Sequence, residues 1–217
     1  IPAWSREAAL DAAAGQGRLE PPIVERAAAV LYRIAGGEKL WLPRLASILY
    51  WLAGSLCLFA LSRRLFSGPA ALAALAVALF LPYGVNASRS FQPDPLMVGL
   101  ICAGWLALVR QRERPGPARF LLAVLASAAA ALVKPMALFF VVPAGAASAF
   151  ARGGVRQAGR GRWFWGWLGL ILLPASAFYA LQYFGGSLRA QAESSTIFGL
   201  WAASSYWSGW LRMLSRV

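Results

Sequence analysis

Apolar residues in this chain come in long unbroken runs, not in the alternation of a strand or the one-sided stripe of a soluble helix. The runs cover residues 45–61, 69–85, 93–109, 120–150 and 163–184, each bounded by arginine, proline or a polar cluster. One bilayer crossing takes about 20 residues. The 120–150 run is too long for one crossing and is interrupted only by Lys134-Pro135, so it predicts two short helices turning at Lys134. About six spans follow. Upstream, residues 4–14 and 23–34 have helical periodicity with one apolar and one charged face, and Pro21-Pro22 separates them. That pattern predicts amphipathic helices lying on a membrane surface. Beyond residue 184 the chain is rich in Ser, Gly and Trp, which predicts an interfacial segment with an amphipathic helix near its end. The expected fold is an all-α membrane protein in three parts. Residues 1–43 form an outer loop, 44–184 a transmembrane bundle, and 185–217 the start of a further interfacial segment.

Charge fixes the expected topology. Lys and Arg total 21 against 8 Asp and Glu, a net charge of +13 on a chain that is 59% hydrophobic. The basic residues sit between the apolar runs, which argues against nucleic acid and for membrane orientation. Loops 63–68, 110–119 and 151–162 are short and Arg-rich, whereas the alternate loops hold only Arg89 and Lys134. The positive-inside rule puts the first set in the cytoplasm. Residues 1–43, 86–92, the Lys134 turn and the tail then face the periplasm or cell exterior, and the amphipathic juxtamembrane helices are periplasmic. Trp41, Trp163, Trp165 and Trp167 stand at span ends, as an aromatic belt requires. The Ala-, Arg- and Gly-rich usage suggests a bacterial inner membrane. With neither an initial Met nor a signal peptide, the chain reads as a fragment with more helices on either side.

Little of the usual chemistry is available. With no histidine, imidazole catalysis and His-ligated metal are excluded within the chain. Cys57 and Cys102 lie inside apolar runs and read as small core residues. Carboxylates beside apolar spans need a reason, and the candidates gather on the outer face: Glu20, Arg44, Arg89, Asp94 and Lys134. Asp94 lies at the mouth of a span in Ser88-Arg89-Ser90-Phe91-Gln92-Pro93-Asp94-Pro95. One reading is structural, an acid suiting the unpaired N–H groups of a first helical turn. The other has Asp94 facing a cavity to orient an acceptor or bind metal, with Arg89 gripping a phosphate. Glu20 reads either as a surface acid before Pro21-Pro22 or as a metal ligand. Lys134 reads either as a snorkelling turn lysine or as a phosphate ligand. Arg44 reads best as an interfacial anchor.

Taken in order, Glu20-Pro21-Pro22-Ile23, Pro43-Arg44-Leu45-Ala46-Ser47, Ser62-Arg63-Arg64-Leu65-Phe66-Ser67-Gly68, the Ser88–Asp94 stretch and Val133-Lys134-Pro135 form a series. Over residues 4–150 it resembles the C-type membrane glycosyltransferases of the protein-mannosyltransferase and aminoarabinose-transferase-like group. The resemblance implies a hexosyl- or pentosyltransferase that takes a sugar from a polyprenyl-phosphate donor to a lipid, glycan or protein acceptor at the periplasmic face, among membrane lipids. It implies that Asp94 is a second outer-loop aspartate, that Arg89 and Lys134 lie on the phosphate side, and that no cofactor beyond a divalent metal at Glu20 and Asp94 need enter. The family's main catalytic aspartate would fall just before Ile1. Asp11 is wrongly placed to replace it, so the fragment alone is expected to be inactive. Relatives often carry Lys or His before Pro-Pro where this chain has Glu20. Two rival readings are a transporter or flippase for a lipid-linked substrate, and a non-catalytic membrane subunit. The absence of an internal repeat and of polar residues at mid-membrane depth counts against the transporter.

Overall fold

In the computed structural model, which describes residues 20–151, 162–185 and 204–214, every regular element is helical. The expected helix over 4–14 and most of the 151–162 loop lie outside the described residues. The chain divides into a unit spanning Glu20–Ala177 and a second comprising Ile1–Leu19 and Phe178–Val217, each taken by itself below.

The first unit opens with α1 (Ile23–Ile34), whose bounds coincide with the amphipathic stretch seen in the sequence. Helix α2 (Trp41–Leu65) ends in Arg63 and Arg64. Helix α3 (Gly68–Phe80) is capped by the Ser67 side chain, which accepts from the Ala70 N–H. Helix α4 (Pro82–Arg89) follows at once. Then come α5 (Asp94–Glu113), α6 (Pro117–Val133), a 3-10 turn (Pro135–Ala137) and α7 (Leu138–Phe150). Helix α8 (Arg162–Phe184) belongs to this unit as far as Ala177. The second unit contains the end of α8 and α9 (Ser204–Leu214), the helix expected near the C-terminal end.

Two helices, Trp41–Leu65 and Trp163–Phe184, are long and apolar enough to cross a bilayer, and α3 with α4 makes a third if the bent pair is one span. The remaining apolar stretches form shorter helices or, in α5, one with charged residues at both ends. The sequence reading takes 69–85 as one span and 86–92 as a polar loop. Instead the chain bends by 54° between α3 and α4, and helix continues through Arg89. Pro82 is the cause: it has no N–H to give the Ala78 carbonyl one turn back. The indole Nε1–H of Trp51 on α2 donates to that carbonyl at 2.9 Å. The Trp51 ring also lies against Gly84, where an added Cβ would come within 2.6 Å of it.

Helix α5 is the centre of the first unit, packing on α2, α6 and α7. Lipid is as apolar as leucine, so helices in a membrane associate by close contact between small residues, with no hydrophobic drive. Gly54 of α2 meets Gly99 of α5 so closely that a Cβ on Gly54 would sit 2.6 Å from the Gly99 Cα. On the other side Ile101 and Leu108 of α5 join Ala123, Val124 and Ala130 of α6, Val141 of α7, and Trp167 and Ile171 of α8. Trp167 is fully buried and its ring fills the space that a side chain at Gly145 would take. It was expected at a membrane interface; the structure makes it a core residue.

Candidate functional site

Lys134 is held in extended backbone, φ −158° and ψ 126°, where α6 stops. The stop is written in the sequence, since Pro135 disfavours helical geometry in the residue before it. Asp94 begins α5 after Pro93. The two breaks bring residues 40 positions apart into contact: Lys134 Nζ donates to Asp94 Oδ1 at 2.8 Å. Both side chains are largely covered, at 29% and 28% exposure, so this pair is better shielded from water than the Arg64–Glu113 pair at the far end of α5. Among the described residues the Asp94 carboxylate bonds to Lys134 and to no backbone N–H, while its place in the first turn sets it at the positive end of the helix.

Glu20 belongs to the same group of charges. Desolvation holds its carboxyl above the ordinary 4.5; the carboxylates of Asp94 and Glu25 push the same way, and Lys134 opposes them. The Lys134 ammonium is held above 10.5, chiefly by its hydrogen bond to Asp94 and against its own desolvation, with Glu20 and Tyr83 adding to the effect. Tyr83, on the first turn of α4, was not singled out in the sequence; only the fold's placing of α4 near Lys134 reveals it.

Arg89 is not brought into this group. It lies exposed at the end of α4, with no ion pair or hydrogen bond among the described residues. Its neighbours spend their polar groups on the local backbone. Ser88 Oγ donates to the Val85 carbonyl at 2.9 Å, Ser90 Oγ to Asn86 at 2.7 Å and Gln92 Nε2 to Ala87 at 3.3 Å. The Ser-Arg…Pro-Asp stretch is thus a tightly bonded corner with Asp94 turned inward at its end.

A divalent cation does not fit these described donors. One Asp94 oxygen carries the Lys134 ammonium, Glu20 and Glu25 are the other carboxylates implicated, and no group of three or more His, Cys, Asp or Glu forms among the described residues. Hard cations take six or more oxygen ligands and repel an adjacent ammonium.

The pairing leaves hydrogen-bond donors in reserve. An ammonium has three N–H donors, and Asp94 uses one. Lys134 thus presents two further N–H donors at this end of the bundle, beside the carboxylates of Asp94 and Glu20. On the same unit, an open apolar groove of about 520 Å³ lies between α1 and α2, lined by Ala27, Val30, Leu31, Leu49 and Tyr50, with Arg26 at its edge.

A family model described as dolichyl-phosphate-mannose-protein mannosyltransferase matches residues 19–180, which include every element from α1 to α7 and most of α8. No curated protein and no solved structure gives a significant match.

Proposed function

Since the chain belongs to the dolichyl-phosphate-mannose-protein mannosyltransferase family, and so to the membrane glycosyltransferases, we propose that it transfers a hexose or pentose from a polyprenyl-phosphate donor to a lipid, polysaccharide or protein acceptor at the periplasmic face of a bacterial inner membrane. The observation that carries this reading is the Lys134–Asp94 pair with Glu20 beside it. In the proposed reaction an acceptor hydroxyl or amine attacks the anomeric carbon and the bond from that carbon to the phosphate oxygen breaks. The acceptor's proton passes to a general base. The electron pair of the broken bond leaves on the lipid phosphate, whose growing charge Lys134 neutralises with the N–H donors that Asp94 leaves over. Asp94 keeps the ammonium charged and fixed, so the donor phosphate meets a preset cation. The apolar groove between α1 and α2 supports the reading, as a surface on which a polyprenyl chain could lie. Arg89, exposed and unengaged, is the weaker phosphate candidate.

The test uses the full-length protein in membranes with a pool of radiolabelled polyprenyl-phosphate sugars. Label should leave the carrier for a new product, and should not do so in Asp94→Asn. If no donor is consumed by folded protein supplied with acceptor extracts, the transporter or non-catalytic reading takes its place.

A further inference from the structure

The opposite end of α5 carries a second polar construction that sugar transfer does not use. Asp94 and Glu113 are the first and last residues of this 20-residue helix, about 28 Å apart at 1.5 Å per step. There Arg64, Arg110, Arg114 and Arg119 surround a cavity of about 350 Å³, and among the described residues that line it Glu113 is the only carboxylate. Glu113 is already committed to Arg64. Arg110 and Arg114 form no ion pair among the described residues, and both are exposed.

The connector that presents them is fixed. The buried Gln111 side chain accepts from the Gly116 N–H at 3.1 Å, and Arg119 Nη1 donates to the Arg114 carbonyl at 2.8 Å. Two arginines of this cluster, Arg110 and Arg119, also line an adjoining cavity of about 190 Å³ between α2, α5 and α6, whose walls are otherwise apolar: Cys57, Leu106, Ala107, Leu122 and Ala126 among them. That volume is below the roughly 300–1,000 Å³ of pockets that enclose a drug-sized ligand. It suits a narrow aliphatic chain. A cationic mouth opening onto a thin apolar slot on the outside of a helix bundle matches one kind of molecule, an amphiphile with an anionic head.

We propose that this end of the bundle binds one anionic glycerophospholipid, with its phosphodiester on Arg110 and Arg114 and one acyl chain in the slot between α2, α5 and α6. Guanidinium groups are suited to phosphate because their planar N–H fork matches two of its oxygens. Glu113 restrains Arg64 while leaving the other two arginines available. Basic pockets between helices on the cytoplasmic side of a membrane favour anionic headgroups, and the Arg-rich loops place this end there by the positive-inside rule. The proposal is independent of the sugar-transfer reading.

Native mass spectrometry of the full-length protein, released from detergent with equimolar phosphatidylglycerol and phosphatidylcholine, tests it. Phosphatidylglycerol should be retained at least about fivefold over phosphatidylcholine, since each basic side chain near an anionic headgroup is worth about that factor. The double variant Arg110→Gln/Arg114→Gln should bring the two lipids to parity, and Arg110→Lys/Arg114→Lys should keep most of the preference. Ala107→Phe, which fills the slot and leaves every arginine in place, should also lower retention. Far-ultraviolet circular dichroism confirms that each variant is folded. Equal retention of both lipids by the unmodified protein would overturn the proposal, as would a preference that survives the Gln variants. Retention unchanged in Ala107→Phe would also overturn it, by reducing the site to a bare anion patch.

Discussion

The indole N–H of Trp51 donates to the carbonyl of Ala78, the acceptor that Pro82 leaves stranded by lacking an N–H of its own. Without this donor a backbone carbonyl would stand unpaired at the bend, at a cost of about 1–3 kcal/mol. Trp51→Phe should therefore lower the melting temperature, and Pro82→Ala should make that substitution milder by restoring an N–H at position 82. A double-mutant cycle by thermal unfolding measures the coupling. If the two changes add independently, the indole is not serving the bend.

Asp94→Asn and Lys134→Ala should each lower sugar transfer by about 10²–10³, the range seen when one preset donor to a developing oxyanion is lost. The double variant should be little worse than either single one, because both remove the same fixed cation. Membrane insertion and helix content should be unchanged. The exchange Asp94→Lys/Lys134→Asp keeps an ion pair and should recover stability without recovering transfer. Recovery of transfer by the exchange would show the pair to be only a brace.

Stability should follow pH in a way set by these two groups. The folded-state value of Lys134 lies above 10.5. Its contribution is thus fully present below about pH 10.5 and lost as pH rises through the higher folded value. Melting temperature should fall more steeply above pH 10.5 in the unmodified protein than in Asp94→Asn/Lys134→Met. Glu20 has the opposite sense for an acid. Its folded value is raised above 4.5, so ionised Glu20 costs stability at neutral pH and the cost fades as pH drops through the raised value. Glu20→Gln should melt higher than the unmodified protein at pH 7, with the gain vanishing well below pH 4.5. A lower melting temperature for this variant at pH 7 would mean that attraction to Lys134 outweighs desolvation.

Gly54→Ala should destabilise by about 1–3 kcal/mol, the usual cost of overpacking, because the new methyl would come 2.6 Å from the Gly99 Cα, and backbone cannot swing aside. Gly68→Ala, where an added Cβ meets nothing within 4 Å, is the matched control. Thermal unfolding in detergent compares the two, and equal effects would show that α2 and α5 do not depend on this contact.

Much of the architecture was legible in the sequence because its signals are local. Ile23–Ile34 alternates its faces at helical spacing, and Pro135 announces the break at Lys134. The bend at Leu81 has no such local signal, because the apolar run continues across Pro82 without a polar interruption, and the residue that stabilises the bend, Trp51, lies 27 positions before the Ala78 carbonyl it serves. Trp167 looked like one more belt tryptophan; its burial depends on Gly145, a helix away. Glu20, Asp94 and Lys134 could be named individually as polar residues at one face. Their coupling, the exposure of Arg89 and the part of Tyr83 depend on how separate helices meet, and no spacing along the chain encodes that.

Helix α5 is tied by charge at both ends, to Lys134 through Asp94 and to Arg64 through Glu113. Sliding it by one turn, about 5.4 Å, would tear both pairs at once. The two pairs thus mark one register of α5, against α2 at one end and against the Lys134 turn at the other.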